Sequence, residues 1–191
     1  SSNTLATSLD QAVTGSIDDA LKLGCAAIGF TIYPGSDHNF SLMEEYRDLS
    51  HEAKAKGLAV VLWAYARGTN ISKKGETAMN IISYAAHMSA LLGANIIKVK
   101  LPSDFLEEDP TKAAFENNKI AIGSLKERVA HIKKVAFEGK RLVVFSGGDA
   151  KDDNALMEEI KAIHLGGGNG SIIGRNCFQR TREDSLTVLD Q

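Results

Sequence analysis

Residues 58–100 read LAVVLWAYARGTNISKKGETAMNIISYAAHMSALLGANIIKVK, and this stretch decides the fold. Its two ends, residues 58–65 and 95–100, are short and nearly continuous apolar runs. Between them a helical pattern covers 76–92 and stops at Gly93. Apolar runs without alternation are typical of strands in a parallel sheet that helices cover. The stretch therefore predicts one strand–helix–strand unit of an α/β fold.

The same alternation continues on both sides of this unit. Ser16 opens a short helix with a capping box, and the helix ends before Gly24. Further strands are predicted at 25–32, 141–145 and 170–173, and further helices at 39–56, 124–137 and 152–164. A short helical tail closes the chain, and residues 102–123 form a polar insertion with one helical stretch of its own.

The pattern indicates a single domain over 1–191 and leaves two architectures open, a barrel or a doubly wound sheet. A closed eight-stranded barrel needs about 250 residues. The sheet is therefore expected to be open, or the chain to be part of something longer.

Composition excludes several classes of protein. Among 191 residues, 22 are Lys or Arg and 24 are Asp or Glu, and this balance argues against a nucleic-acid partner. No apolar run is long enough to span a membrane, and residues 1–4 show neither an initiator Met nor the pattern of a signal peptide. Cys25 and Cys177 form no disulfide framework, so a cytoplasmic location is expected.

Four side chains near the ends of the central strands point to chemistry. Side chains alternate across a strand, so Trp63 and Tyr65 share one face, as Lys98 and Lys100 do on the next strand. Both pairs are expected away from the helices, near the carboxyl ends of the strands, where active sites of parallel α/β folds lie. A lysine amine in an apolar setting beside a second cation is easily deprotonated, and a neutral amine attacks carbonyl groups. The alternatives are lysines that extend into solvent and a core tyrosine with one hydrogen bond.

Two glycine turns each follow a strand and precede a helix. The first contains Ser146, Gly147 and Gly148, and the second contains Gly174 and Arg175. Glycine lets backbone N–H groups approach an anion closely, and Arg adds a bidentate donor. Two such turns on successive strands predict a phosphate site, whereas the alternative is a pair of ordinary tight turns.

Neither a nucleotide site nor a metal site is predicted. The glycine-rich residues 166–170 lie between a helix and a strand, whereas a dinucleotide fingerprint follows a strand and opens a helix. They are interpreted as a flexible loop. The five histidines have no paired ligand spacing.

Four stretches carry a resemblance to a known family. They are GCAAIGFTIYPGS (24–36), LWAYARG (62–68), GANIIKVK (93–100), and FSGG with IIGRN (145–148 and 172–176). In this order they resemble the archaeal-type class I fructose-bisphosphate aldolases, which are metal-free (β/α)₈ barrels. The resemblance implies an α/β TIM barrel of which this chain covers roughly strands four to eight, the C-terminal part. A catalytic aspartate on the first strand and a lysine on the third then have no counterpart here.

The resemblance also implies roles for individual residues. Lys98 would form the Schiff base, Tyr65 would act as acid and base, and Trp63 would line the site. Lys100 joins the substrate-binding set, and the substrate phosphate would be held by Ser146, Gly147, Gly148, Gly174 and Arg175. The implied reaction is the reversible cleavage of fructose 1,6-bisphosphate to dihydroxyacetone phosphate and glyceraldehyde 3-phosphate. No cofactor is implied, the partner is a phosphorylated sugar, and a homo-oligomer is expected.

Two alternatives stay open at this point. Relatives with the same lysine catalyse transaldolase-like transfer or acyl transfer from phosphorylated diketones. The chain could also be an inactive phosphate-binding fragment of a barrel.

Overall fold

The computed structural model describes residues 8–148 and 151–190. The N-terminal residues considered for a signal peptide lie outside the described residues. Within the described part, the strands are β1 (Ala27–Ile32), β2 (Ala59–Ala64), β3 (Ile96–Lys100), β4 (Leu142–Ser146) and β5 (Ser171–Ile172). The helices are α1 (Ile17–Lys22), α2 (Asn39–Ala55), α3 (Met79–Leu91), α4 (Asp109–Asn117), α5 (Leu125–Val135), α6 (Asp153–Leu165), α7 (Arg175–Phe178) and α8 (Arg182–Leu189). Every predicted strand is present, with ends that differ by one or two residues.

The order of the strands separates the two architectures that the sequence left open. The strands pair in parallel in the order β1-β2-β3-β4-β5, so each one lies beside the next one in the chain. Right-handed crossovers in a constant direction place all connecting helices on the same face of a sheet. A doubly wound sheet instead reverses its strand order at a switch point. The sheet is therefore singly wound, as in a barrel.

One face of the sheet forms the hydrophobic core with the helices. Alternate strand residues such as Leu62, Ile97 and Phe145 are fully buried there, packed with Tyr46 and Ile82 from the helices. The intervening residues of β2, β3 and β4 are only partly buried. The sheet thus has a packed helical face and a more open face, and polar side chains are tolerated on the latter.

Helix boundaries follow the signals in the sequence. Ser16 and Ser124 each form a complete capping box, in which the serine hydroxyl accepts from a backbone N–H one turn later. The first of these confirms the prediction for Ser16. Gly93 follows α3 with a φ of 91°, a conformation that side chains other than glycine rarely adopt.

The third helix begins later than the sequence pattern predicts. Helical periodicity starts at residue 76, but Gly75–Thr77 form a 3₁₀ turn and α3 begins at Met79. The segment after β3 takes the backbone groups that a longer helix would use. Ser103 N–H donates to the carbonyl of Thr77 at 2.7 Å, and Met79 N–H donates to the carbonyl of Phe105 at 2.8 Å.

The predicted insertion contains its own helix, as expected. Helix α4 lies within residues 102–123 and buries none of its side chains fully. The contact of its Phe115 ring with His131 of α5, at 5.4 Å between ring centroids, links it to the rest of the fold. None of the helices among the described residues combines the length and apolar character needed to cross a bilayer.

Candidate active site

Trp63 and Lys98 are neighbours on the open face of the sheet. The register of β2 and β3 pairs Trp63 with Lys98, and both side chains are partly buried, between fully buried strand neighbours. The Lys98 amine lies 5.5 Å from the centre of the Tyr65 ring. Three of the four residues that were grouped near the strand ends from the sequence therefore meet in space, on the predicted face.

The two lysines of β3 have different surroundings. Lys100 Nζ donates to the Glu76 carboxylate at 2.6 Å. Within residues 8–148 and 151–190, the Lys98 amine forms no ion pair and no side-chain hydrogen bond, only the contact with the Tyr65 ring. Sequence spacing makes these lysines equivalent, but in the described part of the chain Lys100 is held by a carboxylate and Lys98 is not.

Glu76 holds a cluster of cations beside this site. It accepts from Lys100 at 2.6 Å and from Lys73 at 3.0 Å, and Arg67 Nε lies 3.9 Å away. Burial raises the pKa of Glu76, but the hydrogen bonds and charges of the two lysines outweigh it and bring the pKa below its ordinary value. Glu76 is therefore a carboxylate at neutral pH.

Arg67 is a member of the site that the sequence analysis did not single out. Its guanidinium lies 5.8 Å from the centre of the Tyr65 ring, so the side chains of Arg67 and Lys98 both lie against one aromatic ring. A cavity of about 520 Å³ opens beside Arg67 and Glu76. The sequence feature that could have identified Arg67 is its position two residues after Tyr65, in the loop that follows β2.

Gly29 is a second residue that the sequence analysis missed. A Cβ atom at this position of β1 would overlap the six-membered ring of Trp63, so the indole lies directly over the glycine backbone. Glycine inside an apolar strand often marks a close approach of this kind. That signal was present in the stretch AAIGFTI (26–32).

The two predicted glycine turns lie side by side at the same end of the sheet. Ser146 pairs with Lys100 in the register of β3 and β4, which places the first turn next to the lysine strand. Gly147 N–H donates to the carbonyl of Ile172 at 3.3 Å. Arg175 donates to the carbonyl of Gly148 at 3.0 Å, which links the second turn to the first.

The side chain of Asn176, on α7, links the two turns by hydrogen bonds. It is 2% exposed, and its amide donates to the carbonyl of Gly147 at 3.4 Å while its side-chain oxygen accepts from the N–H of Lys151 at 2.6 Å. Arg180 adds bonds to the Asn176 carbonyl at 2.7 Å and to Asp153 at 2.5 Å. The site residues predicted from the sequence therefore lie along one edge, at the carboxyl ends of β2 to β5.

No group of three or more His, Cys, Asp or Glu side chains that could hold a metal ion occurs in the described part of the chain. What the edge offers instead is an amine, a phenol, an indole and backbone N–H groups in glycine turns.

Comparison with known proteins identifies the family. A family model described as DeoC/LacD family aldolase matches residues 1–180. The chain belongs to this family. The resemblance to archaeal-type class I fructose-bisphosphate aldolases that the motifs indicated is thereby confirmed.

Two curated relatives of this DeoC/LacD family chain carry the same description. A protein of Halobacterium salinarum called fructose-bisphosphate aldolase class 1 is 34% identical over 181 residues, which cover 95% of this chain and 59% of the relative. One of Thermoproteus tenax with the same description is 31% identical and covers 86% of this chain and 54% of the relative. The chain thus spans little more than half the length of these curated relatives.

Solved structures of aldolases superpose on the DeoC/LacD family chain. An archaeal fructose 1,6-bisphosphate aldolase superposes with a TM-score of 0.78 at 29% identity, over 97% of this chain and 64% of that one. A Schiff-base-forming fructose-1,6-bisphosphate aldolase, studied through its reaction intermediates, gives the same TM-score at 28% identity. These likenesses and the singly wound sheet confirm the fold class. That the chain is one domain and represents strands four to eight of a barrel stays a prediction.

Proposed function

We propose that this chain carries the activity of a class I fructose-bisphosphate aldolase, with Lys98 as the residue that forms the Schiff base. Membership of the DeoC/LacD aldolase family and the description of its relatives support the reaction class. In one solved relative, the catalytic lysine is covalently bound to a carbinolamine intermediate of the substrate. The proposal assigns the equivalent chemistry to Lys98.

The observation that carries the proposal is the setting of the Lys98 amine. It is partly buried, it lies against the Tyr65 ring at 5.5 Å, and it is not engaged by a carboxylate of the described residues. Lys100, two residues further along the same strand, is by contrast held in an ion pair with Glu76. An amine held beside an aromatic wall is available for attack on a carbonyl carbon.

The proposed reaction begins with attack of the neutral Lys98 amine on the C2 ketone of fructose 1,6-bisphosphate. Loss of water from the carbinolamine gives an iminium ion, which accepts electrons from the bond that breaks. Tyr65 takes the proton of the C4 hydroxyl, the C3–C4 bond breaks, and glyceraldehyde 3-phosphate leaves. Tyr65 returns a proton to C3 of the enamine, and water releases dihydroxyacetone phosphate and the free amine.

The glycine turns are proposed to anchor one phosphate of the sugar. The backbone N–H of Gly148 and the guanidinium of Arg175 are suitable donors to a phosphate, while Gly147, whose own N–H donates to the Ile172 carbonyl, completes the turn. Lys100 and Ser146 are register partners between the lysine strand and the first turn. Anchoring the phosphate there would place a ketone two bonds away within reach of β3, which is a positional contribution to the rate.

Reductive trapping tests this assignment. The purified protein is incubated with dihydroxyacetone phosphate and sodium borohydride, and the modified peptide is identified by mass spectrometry. We expect the adduct on Lys98, and we expect Lys98→Met to lower cleavage of fructose 1,6-bisphosphate by at least about a thousandfold, since the nucleophile is removed.

Lys126→Met provides the matched control, because Lys126 is an exposed lysine on α5, away from the strand ends. It should leave trapping and cleavage unchanged. An adduct on Lys100, or none at all with a folded protein, would contradict the assignment.

The remaining expectations on the partners of this chain also belong to the proposal. A phosphorylated sugar as substrate follows from the proposed reaction. A cytoplasmic location and assembly into a homo-oligomer stay predictions from the sequence.

A further inference from the structure

We propose that Glu76 is a positioning residue that holds Lys100 in an ion pair and thereby makes Lys98 the amine that meets the substrate. This inference rests on the proposed function, because it concerns which of two lysines reacts. Glu76 does not touch the substrate in this proposal. It acts through Lys100, and through the charge that it places at the end of β3.

The ion pair between Glu76 and Lys100 is well shielded from solvent. The side chain of Glu76 is 16% exposed and that of Lys100 is 18% exposed, whereas Lys73, which also contacts Glu76, is 90% exposed. Shielded pairs are screened by salt far less than exposed ones. Removing the carboxylate would leave a partly buried ammonium group without its counter-charge, which is strongly unfavourable. The Lys100 side chain would then have to reorient.

Reorientation of Lys100 matters because of its place on the strand. Residues two apart share a face, so Lys98 and Lys100 both project from the open face of β3. In the structure, Glu76 draws the Lys100 amine to its own side of the strand end. Without that contact, Lys100 is a second amine on the same face and a competitor for the carbonyl.

The turn that carries Glu76 is held in place by the segment after β3. Thr77 O accepts from Ser103 N–H at 2.7 Å and from the Ser103 hydroxyl at 3.0 Å. Glu107 accepts from Ser72 N–H at 2.8 Å, just before the 3₁₀ turn. These bonds explain why Glu76 lies in a short turn and not in α3. The start of the insertion thus holds the turn, and with it the Glu76 carboxylate, in position.

The charged groups near Lys98 determine how a substitution of Glu76 changes the pH dependence of trapping at Lys98. The titratable and charged groups at this edge lie on several elements. They are Tyr65 at the end of β2, Arg67 and Lys73 in the following loop, Glu76 in the 3₁₀ turn, Glu107 beside that turn, Asp37 and His38 in the lining of the same cavity as Arg67, Lys100 on β3, and Arg175 on α7. The partners of β3 on β4, Val144 and Ser146, are uncharged. Within the described residues, Glu76 is the carboxylate shared by the ion pairs of Arg67, Lys73 and Lys100.

The test follows the position of the adduct and the pH dependence of trapping in Glu76→Gln. In the unmodified protein, borohydride should trap dihydroxyacetone phosphate on Lys98. In Glu76→Gln, we expect a measurable share of the adduct on Lys100. The acid limb of Lys98 trapping should move to lower pH, because a negative charge at the end of β3 is lost.

A second variant, Lys100→Met, should shift the acid limb of Lys98 trapping in the opposite direction. It also provides a test if Glu76→Gln does not fold. Removing a cation near Lys98 makes its amine hold the proton more strongly, so the acid limb should move to higher pH. Glu76→Asp keeps the charge and should restore the limb toward that of the unmodified protein. The control Glu116→Gln removes an exposed charge on α4 and should change nothing.

A share of the adduct on Lys100 in Glu76→Gln that disappears in Glu76→Asp supports the proposal, since general loosening of the turn would not depend on the charge of residue 76. An adduct that stays wholly on Lys98 in a folded Glu76→Gln protein overturns it. Absence of any Lys98 adduct in the unmodified protein is a different result, because it overturns the proposed function itself.

Discussion

The two ends of the sheet use polar side chains in opposite ways. At the amino ends, Asn95 and Asn169 each form a closed pair of bonds with the neighbouring strand. Asn95 N–H donates to Val60 O at 2.9 Å and its side-chain oxygen accepts from Val60 N–H at 2.9 Å. Asn169 repeats both bonds with Val143 at the same distances. At the carboxyl ends, Lys98 contacts an aromatic ring and pairs with no carboxylate of the described residues.

The difference shows what each end contributes. An asparagine side chain that imitates a peptide group extends the ladder of backbone hydrogen bonds by one residue and fixes where the strand starts. A lysine amine that is held but not paired adds little to stability and remains available to a ligand. Substitutions should therefore separate stability from activity according to the end of the sheet that they change.

Among the substitutions that compare the two ends of the sheet, Gly29→Ala should have the largest effect and should act almost wholly on activity. The added Cβ would overlap the Trp63 ring and push it from its place beside Lys98. Displacement of a site group by about 1 Å can cost a hundredfold in rate, so we expect a loss of about that size in kcat/KM. Trp63 is the one tryptophan in the sequence, and its fluorescence reports the displacement directly.

Denaturant unfolding provides the control for this variant, because residue 29 lies on the open face and has no positive φ. The unfolding midpoint should change little. A shifted fluorescence spectrum with normal activity would show that the position of the indole is irrelevant to the reaction.

Asn176→Ala should have an intermediate effect, since this residue lies at the carboxyl end but serves backbone groups. It removes the bonds to Gly147 and Lys151 that hold the glycine turns together. We expect about tenfold weaker binding of inorganic phosphate, measured by calorimetry, from the loss of buried hydrogen bonds.

Asn118→Ala, an exposed asparagine next to α4, is the comparison for this change and should bind phosphate normally. Unchanged phosphate affinity in a folded Asn176→Ala protein would argue against the glycine turns as the anion site.

Asn95→Ala and Asn169→Ala should have the smallest effect, and that effect should be on stability. Each leaves the N–H of a fully buried valine without its side-chain acceptor, which costs about 1 kcal/mol of unfolding free energy. The two costs should add, because the pairs belong to separate strands. Urea unfolding measures the loss, and kcat should stay at its original value in the folded protein. A loss of kcat would contradict the idea that the amino ends of the strands contribute to stability alone.

Much of the fold could be predicted because it depends on local patterns. Apolar runs located the five strands, and Ser16 and Gly93 marked helix ends through backbone preferences that operate within a few residues. The late start of α3 could not be predicted. It depends on Ser103 and Phe105, which lie more than twenty residues further along the chain and use the backbone groups of 77–79.

The sequence predicted which face of each strand carries the site residues, but not which side chains contact each other there. Alternation placed Lys98, Lys100 and Tyr65 on the open face correctly. It could not tell the lysines apart, because their difference comes from Glu76, whose pairing depends on a turn that propensity assigns to a helix. Asn169 also shows the limit of composition, since glycine-rich residues around it suggested a flexible loop while its side chain ties that loop to β4.

The strictly sequential order of the sheet has a consequence for synthesis of the chain. Among the described residues, each strand from β2 to β5 pairs with the strand made immediately before it, so these pairings do not wait for a distant segment. Short sequence separation between partners keeps the entropy of closing each loop small and favours rapid folding. The sheet can therefore grow strand by strand as the ribosome releases the polypeptide, each new unit docking on a finished edge.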